Sequence, residues 1–249
     1  MNLQKGNELL IIIPAHNEEN NLPGVFADME RAGVDKYADC LVINDASEDG
    51  TRKVVEKNGA KCLSFIYNLG YGNALQAGYK YAVLSGYKYV IQMDADGQHD
   101  VSNIPRIFAK LKSDEKPDIV LGSRFIEGSA EYNPGILKSF AFKYFEFIIK
   151  AMGGGYVADV TTGLQGLSRA AFTYYAGYDN FDAKFPDANM ILLMKLIGYN
   201  VVQIPAVMHM RTEGVSMHAG IIKPVKYMVR SSIALLTVWM RVKLLKKKN

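Results

Sequence analysis

Residues 87–96 read Tyr-Lys-Tyr-Val-Ile-Gln-Met-Asp-Ala-Asp, an apolar run that ends in two aspartates one residue apart, Asp94 and Asp96. The run has the length and composition of a strand buried in a sheet. In an open α/β sheet, ligands bind beyond the carboxyl ends of such strands. Two carboxylates this close repel each other unless water or a cation surrounds them, and Mg²⁺ and Mn²⁺ bind carboxylate and phosphate oxygens. The stretch therefore predicts a divalent-metal site for a phosphorylated ligand, with a solvated Asp-rich turn as the alternative.

Strand-like and helix-like segments alternate on both sides of this stretch. The apolar runs that predict strands lie at 8–14, 40–43, 61–67, 87–93 and 118–122. The helical patterns between them lie at 21–32, 47–57, 72–85 and 102–112. Strands that alternate with helices form a mostly parallel sheet with helices on both faces, joined by right-handed crossovers. This order predicts an α/β fold with a doubly wound sheet.

After residue 124 the pattern changes from regular alternation to mainly helices. The helical patterns lie at 136–152, 169–176, 187–197 and 222–248, and the first of them is rich in aromatic residues. Two short apolar runs, at 199–205 and 207–210, predict further strands.

The composition is that of a globular protein with one large domain or a domain with an appendage. The chain has 249 residues, of which 49% are hydrophobic and 22% are charged. Cys40 and Cys62 lie in or beside apolar runs, which favours buried thiols of a reducing compartment over a disulfide. The segment after Met1 leads into a predicted strand and does not have the apolar core of a signal peptide.

The basic character of the chain is confined to its last residues. All 25 acidic residues precede Ala219, whereas eight Lys or Arg and no acid follow it, although the net charge of the whole chain is only +4. We therefore expect a domain over residues 1–218 and a basic amphipathic helix over residues 219–249. Nucleic acid is an unfavourable partner for this helix, because its apolar stripe would remain unused.

The helix expected over residues 219–249 predicts association with a membrane surface. Its uncharged run, 231–240, has ten residues, whereas a helix that spans a bilayer needs about twenty. Such a helix lies in the headgroup layer, with Trp239 at the boundary. Its apolar stripe comprises Val225, Met228, Val229, Ile233, Leu236, Trp239, Val242 and Leu245. The alternative is a helix that packs against the core or another subunit.

Polar residues also follow the first two predicted strands. Residues 14–19 read Pro-Ala-His-Asn-Glu-Glu, and residues 44–51 read Asn-Asp-Ala-Ser-Glu-Asp-Gly-Thr. Because the carboxyl ends of parallel strands meet at one edge of a sheet, these segments are expected beside Asp94. Glu18 and Asp45 offer carboxylates to a nucleobase or ribose, whereas Ser47 and Asp49 are typical of a helix N-terminus.

Further motifs follow in order along the chain. They are Asn-Leu-Gly-Tyr-Gly-Asn-Ala at 68–74, Asp-Ala-Asp-Gly-Gln-His at 94–99, Gly-Ser-Arg-Phe at 122–125, Asp-Val-Thr-Thr-Gly at 159–163 and Arg-Thr-Glu-Gly-Val-Ser at 211–216. Together with segments 14–19 and 44–51, this ordered set resembles family 2 glycosyltransferases, which have the nucleotide-sugar-binding GT-A fold. The resemblance covers about residues 8–218 and is strongest to the polyprenol-phosphate sugar transferases.

The resemblance implies a function and a set of site residues. The implied function is inverting, metal-dependent transfer of a hexose, glucose or N-acetylglucosamine, from a UDP-linked sugar to polyprenyl (undecaprenyl) phosphate. The implied catalytic residues are Asp187, Asp96 and Arg124, and Asp94 and Asp96 would bind Mg²⁺ or Mn²⁺. The nucleotide would be bound by Pro14, Ala15, Asn17, Glu18, Asp45, Asn68, Asp94 and Gln98. The acceptor phosphate and the diphosphate would be bound by Arg124, Lys138, Arg211 and Ser216.

Several alternatives stay open at this point. Asp182 is a weaker candidate for the catalytic acidic residue, and the alternative for either aspartate is to cap the next helix. Arg124 would otherwise form a surface salt bridge of little energetic value. Asn44 stands where the family often has an aspartate, which leaves a non-catalytic nucleotide-sugar-binding protein as one alternative function.

The acceptor decides how much a catalytic base matters. A phosphate monoester already carries about −1.5 to −2 charges at neutral pH, so it needs cations to bind it more than a base. Asp187 would then orient the acceptor. The rival is extension of a lipid-linked or cell-surface polysaccharide at a sugar hydroxyl, which does need a base. Either activity would belong to cell-wall polysaccharide synthesis at the cytoplasmic face of the membrane, with a homo-oligomer or a small membrane protein as a possible partner.

Overall fold

The computed structural model describes residues 7–130, 136–184, 186–209 and 222–246, with side chains for all of these except 136–138, 222–225 and 245–246. Within these ranges the strands form one sheet in the order β3-β2-β1-β4-β6-β5-β7. The strands are β1 Leu9–Ala15, β2 Ala38–Asn44, β3 Lys61–Ser64, β4 Tyr89–Gln92, β5 Ile119–Ser123, β6 Gln165–Ser168 and β7 Val201–Pro205. The helices are α1 Leu22–Arg31, α2 Thr51–Lys57, α3 Tyr71–Leu84, α4 Asn103–Leu111, α5 Ile136–Ala151, α6 Arg169–Ala176, α7 Ala188–Leu196 and α8 Ile222–Lys246.

The sheet is parallel except at β6, which runs antiparallel to both of its neighbours, β4 and β5. The predicted α/β fold with a mixed, mostly parallel sheet is therefore confirmed. Strand β6 itself was missed, because Gln165-Gly166-Leu167-Ser168 has one large apolar residue and reads as a loop. Its place between two apolar strands, rather than its own composition, makes it a strand.

The residues of β1 alternate between two cores, one on each face of the sheet. Leu10 and Ile12 pack with α3, α5, α6, α7 and α8, whereas Leu9, Ile11 and Ile13 pack with α1, α2 and α4. Because successive side chains of a strand point to opposite faces, a strand buried on both faces must be apolar throughout. The continuous apolar run of β1 follows from this requirement.

Three predicted elements differ from the structure by more than two residues at a boundary. The helix expected from residue 47 begins at Thr51, because residues 44–50 form a turn in which Asn44 accepts a hydrogen bond from the Ser47 amide. Strand β3 ends at Ser64 rather than at residue 67. The strand expected at 207–210 is a single bridge between His99 and Met208, and residue 210 lies outside the described residues.

Helix α8 has two apolar sides rather than the single stripe expected from the sequence. Ser231, Leu235 and Val242 are buried on the side that faces the protein. The opposite side exposes Val229, Ile233, Leu236, Met240 and Leu244. The side chains of Val225 and Leu245 lie outside the described part. Among the helices that the structure describes, none combines the length and apolar composition needed to cross a bilayer.

The first turn of α3 packs directly on the backbone of residues 182–183, which lead to Asp187. A Cβ atom at Gly72 would overlap the carbonyl oxygen of Asp182 and the carbonyl carbon of Ala183. Backbone atoms cannot move aside as the end of a flexible side chain can. Gly72 therefore fixes the separation between α3 and the segment that carries Asp187.

Gly72→Ala is expected to lower the free energy of unfolding by about 1–3 kcal/mol, the usual cost of overpacking. Gly24→Ala is the matched control, because Gly24 also lies near the start of a helix and a Cβ there has no atom within 4 Å. That control should raise stability by roughly 0.5–1 kcal/mol. Urea unfolding followed by circular dichroism measures both values. Equal stability of the two variants would contradict the close approach at Gly72.

Candidate active site

The strand tips predicted to meet do lie side by side. In the register of the sheet Ala15 of β1 pairs with Asn44 of β2, and Ile12 of β1 pairs with Gln92 of β4. The segments that follow these strands, including Asp94, therefore leave the sheet at one edge. This edge is where an open α/β sheet binds its ligands.

Asp94 is held from two sides. Its Oδ1 accepts a hydrogen bond from the hydroxyl of Tyr71 at 2.9 Å, and its Oδ2 lies 3.7 Å from Nε2 of the buried His99. The Asp94 amide donates to His99 Nδ1 at 3.0 Å, which places the ring proton on Nε2, toward the carboxylate. A Cβ at Gly163 would come within 2.7 Å of Asp94 Oδ2, so the glycine leaves space for this carboxylate.

Asp94 and Asp96 suit a hard divalent cation. The Oδ1 atom of Asp96 accepts the Gln98 amide at 3.1 Å, and the Asp94 side chain is 32% exposed at the strand tip. Carboxylate oxygens are ligands that Mg²⁺ and Mn²⁺ prefer. In the described ranges no group of three or more His, Cys, Asp or Glu is arranged to hold a metal. An ion that takes one or two carboxylates and the oxygens of a diphosphate needs no such group.

Asp45 joins β2 to the loop before α3. It is buried, and its two carboxylate oxygens accept the amides of Leu69 at 2.7 Å and Gly70 at 2.8 Å. Its backbone carbonyl oxygen lies 2.8 Å from His16 Nδ1, and the side-chain nitrogen Nδ2 of Asn68 lies 3.2 Å from the same ring nitrogen. Asp45 thus sets the position of the 68–70 loop, and its contact with a nucleotide stays a prediction.

The loops after β1 and β2 are tied to each other. Asn17 has a left-handed backbone, with φ of 58°, and its amide donates to Ser47 Oγ at 3.0 Å while its Oδ1 accepts the Glu48 amide at 2.9 Å. The Glu18 amide donates to Thr51 Oγ1 at 2.8 Å, and its carboxylate accepts from the Asn21 side chain. Ser47, expected to cap a helix, instead links these two loops.

A groove of about 760 Å³ opens at the tips of β1, β2 and β3. Its walls include His16, Ser47, Arg52, Phe65, Tyr67 and Asn68. Polar edge groups, a cation and exposed aromatic rings are the components that bind a nucleobase and its sugar. Of the predicted nucleotide-binding residues, Asn68 lines this groove, Pro14 and Ala15 lie at the tip of β1, and Asp94 and Gln98 lie past β1 at the tip of β4.

Asp187 occupies the N-cap position of α7 but makes no capping hydrogen bond with its side chain. Its Oδ2 instead accepts the hydroxyl of Tyr227, from α8, at 2.7 Å. Burial raises the pKa of Asp187 from 3.8 to about 6, and the nearby carboxylates of Asp94 and Asp182 act in the same direction. The Tyr227 hydrogen bond and the positive charge of Arg124 oppose this rise. Asp187 therefore belongs to the same electrostatic site as Asp94 and Arg124.

Asp182, the second candidate for the catalytic acid, is engaged in local structure. Its Oδ1 accepts the Lys184 amide at 2.8 Å, and its Oδ2 accepts the side-chain amide of Asn189 at 2.9 Å. Such bonds hold the loop before α7 in place. The Asp187 carboxylate instead accepts a hydrogen bond from another helix, through the hydroxyl of Tyr227.

Arg124 forms a buried ion pair rather than a surface one. Its Nε and Nη2 donate to the two oxygens of Asp159, each at 2.7 Å, and the Asp159 side chain is fully buried. Nη2 also lies 3.0 Å from Thr161 Oγ1, and the guanidinium lies 5.3 Å from the rings of Phe125 and Phe142. These contacts fix the orientation of the cation beside Asp187.

Some of the site residues were not predicted, and others lie outside the described residues. Tyr71 and Asp159 stand within the quoted motifs, so their positions carried a signal although no role was assigned to them. Tyr227 had no local signal, since it lies 40 residues from Asp187 along the chain. Arg211, Ser216 and the side chain of Lys138 are not described, so their roles remain predictions.

Comparison with known proteins agrees with this geometry. The sequence model of the family described as Glycosyl transferase family 2 matches residues 10–175, from β1 into α6. Polyprenol monophosphomannose synthase of Mycolicibacterium smegmatis is 27% identical over 223 residues, which are 85% of this chain and 81% of the relative. UDP-N-acetylglucosamine–dolichyl-phosphate N-acetylglucosaminyltransferase of Methanococcus voltae is 28% identical over 180 residues, 66% of this chain and 70% of the relative.

A solved structure shares the fold over nearly the whole chain. Glucosyl-3-phosphoglycerate synthase from Mycobacterium tuberculosis, crystallised with Mn²⁺, UDP and glucosyl-3-phosphoglycerate, superposes with a TM-score of 0.67. The superposition covers 95% of this chain and 81% of the other at 17% sequence identity, a level at which the likeness concerns the fold. The chain belongs to glycosyl transferase family 2, with the GT-A fold, and is related to the polyprenol-phosphate sugar transferases.

Proposed function

We propose that this protein transfers a hexose from a UDP-linked sugar to polyprenyl phosphate with inversion at the anomeric carbon. The observation that carries the proposal is the site at the tip of β4. There the negative charge of Asp94 and the positive charge of Arg124 both act on Asp187, and Asp159 fixes the guanidinium of Arg124. The names of the two curated relatives, which mention a polyprenol phosphosugar and a dolichyl-phosphate acceptor, support the choice of a lipid phosphate.

Asp94 and Asp96 would hold the divalent metal in this reaction. When bound, Mg²⁺ or Mn²⁺ neutralises charge that develops on the leaving diphosphate. Tyr71 keeps Asp94 oriented through its hydroxyl, and burial together with the negative charges of Asp94 and Asp187 raises the pKa of Tyr71 well above its usual value. Tyr71 therefore stays protonated and remains a donor at any physiological pH.

Arg124 would bind the acceptor phosphate, and Asp187 would orient it and also accept the proton of the singly charged form. The phosphate oxygen attacks the anomeric carbon while the bond from that carbon to the UDP oxygen breaks. A phosphate monoester has its second pKa near 6, which is about the pKa of Asp187. A proton on the phosphate can therefore pass to Asp187 with little free-energy cost. Because Asp159 already pairs with Arg124, the cation keeps one orientation before the acceptor arrives.

The surface of α8 and α5 would bring the lipid acceptor to the site. Helix α8 exposes Val229, Ile233, Leu236, Met240 and Leu244, flanked by the exposed cations Lys226, Arg230, Arg241 and Lys243. Helix α5 exposes Phe140 and Phe147. Apolar residues bordered by cations are typical of helices that lie in the headgroup layer, where each cation adds about 1 kcal/mol of attraction to anionic lipid. We accordingly propose a peripheral membrane protein.

Labelled sugar should pass from UDP-glucose or UDP-N-acetylglucosamine into lipid when the protein meets undecaprenyl phosphate in vesicles with Mn²⁺ or Mg²⁺. Chelation of the metal should abolish product, and Asp96→Asn should lower the rate at least about 100-fold because a charged metal ligand is lost. Asp28→Asn is the matched control, since Asp28 is an exposed partner of Arg31 and should keep full activity. The assay also includes GDP-mannose as an alternative donor and a water-soluble glycan as an alternative acceptor. Label that enters only the glycan would contradict the proposal that the acceptor is a lipid phosphate.

Asp187→Asn should abolish turnover while stabilising the fold at alkaline pH. The folded state raises the pKa of Asp187, so its ionised form destabilises the fold above about pH 6, and this penalty vanishes below about pH 4. The amide removes the penalty, which is worth about 1–3 kcal/mol at pH 8. Thermal unfolding from pH 4.5 to 8 measures the difference.

The wild-type rate should also fall as the pH drops through about 6, because Asp187 takes up a proton there. Asp182→Asn serves as the comparison, since it removes a carboxylate that accepts the Lys184 amide and should lower stability without abolishing turnover. If Asp182→Asn abolished turnover and Asp187→Asn did not, the two roles would have to be exchanged.

A further inference from the structure

The hydroxyl of Tyr227 is a contact between the C-terminal helix and the proposed catalytic carboxylate. Its Oη donates to Asp187 Oδ2 at 2.7 Å, although Tyr227 lies in α8 and Asp187 directly precedes α7. Asp187 makes no hydrogen bond from its side chain to the start of its own helix, α7. The orientation of this carboxylate therefore depends on a residue of α8.

Asp187 needs such a donor because its surroundings oppose its charge. It is half-buried in a site that also contains the carboxylates of Asp94 and Asp182, and both raise its pKa further. A hydrogen bond to an ionised acceptor is about twice as strong as one between neutral groups. The Tyr227 hydroxyl thus stabilises the charged form and selects the rotamer that accepts the bond.

The ring of Tyr227 is itself fixed by packing. It meets Phe145 of α5 edge to face, with ring centroids 6.2 Å apart and planes at 80°. Further along the same side of α8, Leu235 and Val242 are buried against the protein. The Tyr227 hydroxyl can reach Asp187 only while this side of α8 remains packed against α5 and α7.

We propose that Tyr227 is a positioning residue for Asp187, and that α8 is thereby part of the active site as well as a docking element. This inference rests on the proposed function. The opposite side of the same helix carries the exposed apolar residues, such as Val229 and Ile233, that we assign to a lipid surface. Binding of α8 to lipid and the orientation of the Asp187 carboxylate would then depend on each other, because both involve the same helix.

The test compares two tyrosine hydroxyls at the α8 contact. Tyr227→Phe removes the hydroxyl that meets Asp187, whereas Tyr144→Phe removes one that lies 3.1 Å from Ser232 of α8, as part of the α5–α8 contact. Rates are measured as UDP release, so they do not depend on which acceptor is used. Tyr227→Phe should lower kcat about 10- to 100-fold and leave the KM for the sugar nucleotide within about twofold. Tyr144→Phe should keep kcat within about twofold.

A double-mutant cycle with Asp187→Asn separates positioning from general destabilisation. The cycle is measured as Tm, because Asp187→Asn is itself expected to abolish turnover and leaves no rate to compare. In the Asp187→Asn background the target carboxylate of Tyr227 is gone, so the two changes in Tm should fail to add, by about 2–4 °C for an interaction in a protein of this size. An equal loss of kcat in the two tyrosine variants, or changes in Tm that add, would overturn the proposal.

The double-mutant cycle measured as Tm requires no turnover, so its result tests the pairing of Tyr227 with Asp187 separately from the proposed function. If the protein forms no lipid product but the Tm changes are non-additive, the proposed acceptor is wrong and the pairing of Tyr227 with Asp187 still holds. Additive Tm changes would remove the pairing, whatever the acceptor proves to be.

Discussion

Negative charges that meet at one edge of the sheet are the constraint around which the site is built. Asp94 arrives from β4 and Asp187 from α7, and burial with mutual repulsion raises the pKa of Asp187 to about 6. Two tyrosine hydroxyls, of Tyr71 and Tyr227, and the guanidinium of Arg124 offset this repulsion. The remaining excess of negative charge suits a site that receives a cation, since a cation lowers the free energy of ionised carboxylates held together.

The sequence predicted the strands that are buried on both faces. It did not predict β6, whose formation depends on pairing with distant strands. The runs of β1 and β4 are apolar because both of their faces are covered, so composition alone indicates them. Strand β6 is short and contains Gly166, whose missing Cβ makes room for Ile107 of α4. Its antiparallel pairing with β4 and β5 depends on residues far away in the chain, and no local pattern records such pairing.

The same division applies to the site. Asp94, Asp96 and Asp45 were predictable because parallel strands deliver their following residues to one edge. The role of Asp45 in fixing the 68–70 loop was not, since backbone amides leave no trace in composition. Tyr227 was read only as part of an amphipathic tail, because helical spacing cannot tell which side of a helix faces a protein and which faces a lipid. The structure shows which side of α8 faces the protein and which side is exposed.

The position of the metal in a complex with UDP tests the central claim most directly. Anomalous scattering from Mn²⁺ in crystals of the protein with UDP would locate the ion and the diphosphate together. The account predicts Mn²⁺ at about 2.0–2.2 Å from a carboxylate oxygen of Asp96, with the diphosphate on its far side and the uracil near Asn68. An ion or a diphosphate bound away from the tip of β4, with Asp96 uncontacted, would contradict it.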